Sequence, residues 1–140
     1  MTERILVDTG PMVALFSEDD HHYQRCAEAL EALSPPLFTC WPVVTEAAWL
    51  LRTRPKSLHQ LFNGFEAGIF ALLSLDADDL PAIAAVMKRY EDSKIQFADA
   101  ALAHLAEREN IRTIFTTDRR DFSIIRLKRN RTLRLIPDIQ

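Results

Sequence analysis

Short apolar segments of β-strand type alternate with longer helical patterns, and this alternation constrains the fold more than any other feature of the sequence. Strands joined through helices pair in parallel, because a parallel pair needs a long crossover connection. The predicted strands span residues 4–7, 37–40, 71–75, 113–117 and 133–136, and the predicted helices span residues 11–16, 20–33, 42–52, 58–70, 78–90 and 97–110. We therefore expect an α/β protein built around a parallel sheet.

Size and composition favour one compact domain over residues 1–140. The chain is 48% hydrophobic and 26% charged, which is enough apolar material for one core. No segment approaches the roughly 18 consecutive apolar residues of a membrane span, and MTERILVD lacks the pattern of a leader peptide, so we expect a cytoplasmic protein with no membrane partner. Cys26 and Cys40 are predicted to be small buried residues. His22 shares a helix face with Cys26, but no further ligand at a suitable spacing completes a metal site.

Two predicted strands end in a carboxylate. ILVD carries the first strand into Asp8, and TIFTTD carries a later strand into Asp118. In an open parallel sheet the carboxyl ends of the strands meet at one edge, where ligands commonly bind. We therefore expect Asp8 and Asp118 to lie at the same edge of the sheet.

Two further acids occupy apolar helices. Glu46 lies about one turn into WPVVTEAAWLL, and Asp99 is the acid near the start of IQFADAALAHLA. One interpretation is that each carboxylate interacts favourably with the dipole of its helix. The surrounding apolar residues argue against that explanation, because an ionised carboxylate inside an apolar surface is costly unless it is paired or bound to a metal.

The predicted topology brings the four acids together, because helices that follow parallel strands begin at the same edge of the sheet. At an effective dielectric constant near 20, two unit charges ~4 Å apart repel by about 4 kcal/mol. A cation between the acids relieves that repulsion. Oxygen ligands with few imidazoles or thiolates favour Mg²⁺ or Mn²⁺. We predict that Asp8, Asp99 and Asp118 bind the metal, and that Glu46 is either a further ligand or the base that orients an attacking water.

The segments ILVDTGPMVALF, WPVVTEAAWLL, FADAALAHLA and IFTTDRRDF together resemble the PIN domain, in particular the VapC-type ribonuclease toxins of toxin–antitoxin pairs. The resemblance implies a three-layer α/β/α fold with a parallel sheet of about five strands. It also implies a metal-dependent ribonuclease of the endoribonuclease type, with RNA as substrate, an antitoxin protein as partner and a homodimeric assembly. The alternative is a catalytically weak PIN-like module that binds RNA or protein.

The resemblance extends to residues beside the four acids. Thr9 and Thr117 are expected to be polar neighbours of the metal. Asp121 either adds an acid to the site or holds the loop in place, and the second role is favoured. The helix over residues 58–70 has a broad apolar face that, with Trp49 and the helix over 20–33, is predicted to be either core or a surface for an antitoxin or a second copy.

A basic segment follows Asp118, although the net charge of the chain is −3. The cations are Arg119, Arg120, Arg126, Lys128, Arg129, Arg131 and Arg134. A local patch is sufficient to bind a phosphate backbone, and we predict that Arg119, Arg120 and Arg126 contact RNA. A solvated basic surface, or a surface for an acidic antitoxin segment, is the alternative.

Two other classes with acids at strand ends fit less well. A receiver domain needs an adjacent acidic pair at the end of its first strand and a Lys after a late strand, and FTTDRR contains no Lys. A haloacid-dehalogenase-like phosphatase needs a second Asp two residues after the first, where this chain has Gly10. The serines have no neighbouring His with a supporting acid, which argues against a covalent nucleophile.

Overall fold

The computed structural model describes residues 3–138, and its strands form one large sheet and one short hairpin. The strands are β1 (Ile5–Val7), β2 (Leu37–Thr39), β3 (Phe70–Leu72), β4 (Thr113–Phe115), β5 (Arg126–Leu127), β6 (Arg131–Thr132) and β7 (Arg134–Ile136). The large sheet has the order β3-β2-β1-β4-β7 and is parallel throughout. The predicted five-stranded parallel sheet is therefore confirmed, with strands one or more residues shorter than expected.

Helices connect the strands and cover the sheet in a three-layer α/β/α arrangement. They are α1 (Thr9–Ala14), α2 (Tyr23–Glu31), α3 (Trp41–Leu50), α4 (Pro55–Glu66), α5 (Leu80–Arg89), α6 (Phe97–Glu109) and α7 (Arg119–Ile124). β1 and β4 are buried along their whole length, as expected for central strands covered on both faces. All six predicted helices are present. The short helix α7 and the β5–β6 hairpin were not predicted, because their charged sequence has no apolar periodicity.

A single 3₁₀ turn leads into α5. Asp76 begins this turn, and its carboxylate accepts the N–H of Asp78 at 3.0 Å, while the Asp79 carboxylate accepts the N–H of Asp76 at 2.9 Å. Asp79 also pairs with His104 Nε2 at 2.7 Å and with Arg108 at 3.0 Å, both on α6. Asp79 thus ties α5 to α6, the helix that carries Asp99.

The apolar core runs under α6, in which eight of 13 residues are buried, mostly Ala and Leu. These small side chains allow α6 to approach α3 and α5 closely. Cys26 and Cys40 are free and buried, as predicted. Between residues 3 and 138, every helix is too short or too polar to span a bilayer.

Candidate active site

Three carboxylates meet where α6 and α7 begin. One oxygen from each of Asp99, Asp118 and Asp121 lies within 4.8 Å of the others. Asp99 is in the first turn of α6, Asp118 is the residue that precedes α7, and Asp121 is in the first turn of α7. Among residues 3–138, no other group of three His, Cys, Asp or Glu side chains is close enough to hold a metal.

Asp8 and Glu46 adjoin this group. Asp8 follows β1 directly, and its N–H donates to Phe115 O at 2.9 Å, which fixes Asp8 beside the end of β4. The charges of Asp99 and Glu46 both act on the Asp8 carboxyl, and Glu46 also acts on Asp99. The structure therefore brings together all four acids that the sequence indicates, although their roles as ligands and catalytic groups stay a prediction.

Burial raises the pKa of Asp8, Asp99 and Glu46, and the charges of neighbouring acids raise the pKa of Asp8 and Asp99 further. Burial is the largest cause that raises the pKa of Asp8 to about 7, followed by the charge of Asp99, while the Thr9 N–H and the Thr116 hydroxyl act in the opposite direction. Burial likewise raises the pKa of Asp99 to about 6. The pKa of Glu46 is raised by burial as well. Raised pKa values that arise from burial and from neighbouring like charges are concentrated at functional sites, so this cluster is the candidate site of the chain.

Thr116 connects the two strand-end acids. Its hydroxyl donates to Asp8 Oδ2 at 2.9 Å and accepts the N–H of Asp118 at 2.9 Å. Asp118 in turn accepts the N–H of Asp121 at 3.3 Å, which starts α7. The sequence predicts Thr9 and Thr117 as neighbours of the metal, but not Thr116. No local signal distinguishes Thr116 from Thr117, because the distinction depends on where β4 ends.

The two predicted threonines have other surroundings. Thr9 is buried, and its hydroxyl has no hydrogen-bond partner within residues 3–138. Thr117 lies against Gly10, where a Cβ atom would overlap its hydroxyl oxygen. Gly10 is therefore required by the close approach of α1 to the turn after β4. The metal-neighbour roles of Thr9 and Thr117 stay predictions.

Replacing Thr116 by Val should reduce turnover roughly 10- to 100-fold, the usual range for groups that orient metal ligands. Val keeps the volume but removes the donor to Asp8, so the Asp8 pKa should rise further and the acidic limb of the pH–rate profile should move to higher pH. Thr116→Ser should restore both the rate and the profile. Thr132→Val, on the exposed strand β6, is the control. An unshifted profile for Thr116→Val would contradict this positioning role.

The Asp121 carboxylate lies beside those of Asp99 and Asp118. Its backbone N–H donates to the Asp118 carboxylate at the start of α7. Burial and then the neighbouring Asp118 raise the pKa of Asp121. The carboxylate is thus close enough to act as an additional acid of the site, and the choice between this role and the loop-holding role stays a prediction.

The three arginines predicted to contact RNA differ in how many hydrogen bonds their guanidinium groups already make within the protein. Arg119 donates to Pro137 O at 2.6 Å, and Arg126 donates to Ser123 O at 2.7 Å, so both are partly engaged with backbone carbonyls. Arg120 is exposed. Each guanidinium has five N–H donors, so the engaged groups keep donors for a phosphate. RNA contact by Arg119, Arg120 and Arg126 stays a prediction.

The fold and the site together define a parallel α/β/α domain whose carboxylate cluster lies at the carboxyl edge of its sheet, where open α/β folds bind their ligands. The PIN domain family model matches residues 5–128. The chain therefore belongs to the PIN-domain family. It is 30% identical to Ribonuclease VapC26 of Mycobacterium tuberculosis over 124 residues, which cover 87% of this chain and 92% of that protein. This relationship places it with the VapC-type members of the family.

Solved structures share the fold at lower sequence identity. Mycobacterium tuberculosis VapC20, a Sarcin-Ricin loop cleaving toxin, superposes with a TM-score of 0.75 at 18% identity, covering 83% of this chain and 91% of that one. A toxin–antitoxin complex from Klebsiella pneumoniae gives a TM-score of 0.66 at 18% identity, covering 88% and 92%. These likenesses confirm the PIN-like α/β/α fold.

Proposed function

We propose that the protein is a metal-dependent endoribonuclease and the toxin of a toxin–antitoxin pair. The observation that carries the proposal is the carboxylate cluster of Asp99, Asp118 and Asp121, with Asp8 and Glu46 beside it, in a PIN-domain chain related to a VapC ribonuclease. Besides the divalent metal, no organic cofactor or covalent nucleophile is needed, because hydrolysis of a phosphodiester requires only an activated water and stabilisation of added negative charge.

The residues fit Mg²⁺ or Mn²⁺. All five groups offer hard carboxylate oxygens, and neither cysteine is among them, which disfavours Zn²⁺. Burial and then the charges of neighbouring acids raise the pKa values of Asp8 and Asp99, and a divalent cation would offset both effects. When bound, such an ion lowers the pKa of water and stabilises negative charge on a phosphate.

The chain's own residues supply position and proton transfer. We assign Asp8, Asp99 and Asp118 to metal binding, with Asp121 as an additional acid. Glu46 is half-buried at the edge of the cluster, and we assign it to orient the attacking water or to bind the metal as a further ligand. Thr116 fixes the positions of Asp8 and Asp118 relative to each other, because its hydroxyl hydrogen-bonds both residues.

The partners follow from the same assignment. RNA is the substrate, and Arg119, Arg120 and Arg126 are the proposed contacts to its phosphates. VapBC2 from Rickettsia felis, which shares the fold with a TM-score of 0.61, and the Klebsiella complex both contain an antitoxin with their toxin. A small antitoxin protein, a homodimeric assembly and a cytoplasmic location are therefore proposed for this chain.

Purified protein incubated with total RNA and Mn²⁺ should generate a small set of new RNA ends, which are found by end mapping. Excess EDTA should abolish these ends, and added Mn²⁺ should restore them, because the acids alone supply no positive charge. Cleavage that persists in EDTA would contradict the metal mechanism. Absence of new ends under all conditions would favour the catalytically weak binding module.

A further inference from the structure

A groove of about 560 Å³ opens beside the candidate active site, between the first turns of α3 and α6. Its walls include Trp41, Trp49 and Phe97, which are 59%, 62% and 42% exposed. We call these three side chains the aromatic groove. Glu46 also lines it, so the groove and the acid cluster share one wall.

The aromatic groove adjoins the candidate active site through Glu46 and Ala98. Ala98 lines the groove, and Asp99 follows it directly in α6. A phosphate seated at the acids therefore places the neighbouring part of the same substrate against the aromatic groove. Large exposed aromatic rings at such a place are unusual on a protein surface without a binding role.

The chemistry of the walls matches a nucleotide. The rings offer flat apolar faces, and Thr45 and Gln96 add hydrogen-bonding groups at the rim. The guanidinium of Arg52 lies 3.7 Å from the centroid of the Trp49 ring. Arg52 lies at the margin of the groove and donates one hydrogen bond to Trp49 O at 2.8 Å. Its remaining N–H donors are exposed and offer a positive charge to a phosphate beside the Trp49 ring. Nucleic-acid proteins bind unpaired bases by the same combination of stacking and cationic contact.

We propose that the aromatic groove is a stacking subsite for an unpaired nucleobase adjacent to the scissile phosphate, with Arg52 contacting the flanking phosphate. This inference rests on the proposed ribonuclease function and specifies its substrate. A base inside a duplex is not available for stacking on Trp41 or Trp49, so the subsite selects single-stranded or loop RNA.

Intrinsic fluorescence tests the subsite directly, because the two tryptophans of the chain are both in the groove. The probes are an oligouridylate of eight nucleotides and an abasic ribose–phosphate oligomer of the same length. Both are titrated with Ca²⁺ in place of Mn²⁺, and a gel verifies that the RNA stays intact. Anisotropy of an end-labelled oligomer measures binding independently of the tryptophans.

The oligouridylate should quench the tryptophan emission and bind on the order of tenfold more tightly, per stacked base, than the abasic oligomer. Equal affinity for the two oligomers, or binding by anisotropy without quenching, overturns the subsite. Failure of the oligouridylate to bind at all overturns it too. Emission that depends on protein concentration and ignores the oligomer assigns the groove to a second copy of the chain.

Variants separate the subsite from the nuclease itself. Trp41→Ala and Trp49→Ala should each lower kcat/KM for RNA on the order of tenfold through KM, with kcat changed only a few-fold, and Trp→Phe at each position should retain most of the activity. Leu80→Ala, which truncates a 53% exposed apolar residue on α5, is the control. Wild-type-like kinetics in both Ala variants, with RNA cleaved normally, overturn the subsite and leave the proposed function standing. Base-dependent quenching in a protein that cleaves no RNA supports the subsite and contradicts the nuclease.

Discussion

Replacing Asp8 by Asn should raise the melting temperature of the metal-free protein at pH 8 by roughly 3–10 °C. Asp8 is 5% exposed, and its pKa is about 7 in the folded protein against 3.8 for the free side chain. Keeping it ionised in the folded state at pH 8 therefore costs on the order of 4 kcal/mol at most. Asn has no charge to bury and still accepts the Thr116 hydroxyl. Thermal unfolding in EDTA measures the difference.

The difference in melting temperature between Asp8→Asn and the parent should depend on pH, because the pKa of Asp8 is raised in the folded state. The folded state binds the proton of Asp8 more tightly than the unfolded state does, so the contribution of Asp8 to stability is fully present below about pH 4 and is lost as the pH rises to about 7. The gap between Asp8→Asn and parent should thus close at acidic pH. A variant that melts lower than the parent at pH 8 would show that the Asp8 carboxylate is structural.

Mn²⁺ should reverse the order of the two proteins. A ligand that binds only the folded state adds about RT ln(1 + [L]/Kd), or ~2.7 kcal/mol at a hundredfold excess over Kd. The parent should gain this, and Asp8→Asn should gain much less. Asp92→Asn is the control, since Asp92 is exposed in the polar turn before α6 and should alter neither curve. Equal gains in parent and Asp8→Asn would remove Asp8 from the ligand set.

Asp99→Asn should lower the rate of RNA cleavage in Mn²⁺ by at least roughly 10²-fold, the scale on which one well-placed electrostatic group contributes to a transition state. Asp99 Oδ2 accepts the Gln96 N–H at 3.2 Å, and the amide oxygen of Asn is able to accept the same bond. The helix start is therefore preserved while the charge is lost. Single-turnover cleavage of a mapped RNA is the measurement, with circular dichroism to verify the fold.

Asp121→Asn in the same assay distinguishes its two roles. If Asp121 is an additional acid of the site, the rate should fall while the melting temperature of the metal-free protein stays level or rises, because one repelling charge has gone. If Asp121 holds the loop, the melting temperature should fall with the rate. Asp92→Asn again serves as the matched carboxylate far from the cluster.

The fold was predictable from sequence because its signals are local. Each strand is a short run of apolar residues, and each helix has either an apolar face or Pro42 or Pro81 in its first turn. The convergence of Asp8, Glu46, Asp99 and Asp118 was predictable too, because parallel topology places the ends of strands and the starts of helices at one edge.

Other parts of the site depend on contacts between distant segments and left no local signal. The hydrogen bond between Thr116 and Asp8 joins residues 108 positions apart. The choice between Thr116 and Thr117 depends on where β4 stops, which is set by its pairing with β1 and β7 and not by its own sequence. Asp121 enters the cluster through α7, a helix that begins because Asp118 accepts its N–H and not because of any apolar pattern.

β1 pairs with β4, with Ile5 opposite Thr113, and this pairing affects when the site forms during synthesis of the chain. On the ribosome, Asp8 is made early, but Thr116, which donates a hydrogen bond to its carboxylate, is made 108 residues later. A nascent chain shorter than about residue 121 thus carries only scattered carboxylates. Under the proposed function, a partly synthesised chain should therefore carry no nuclease activity, because the site forms only when β1 and β4 pair in one sheet.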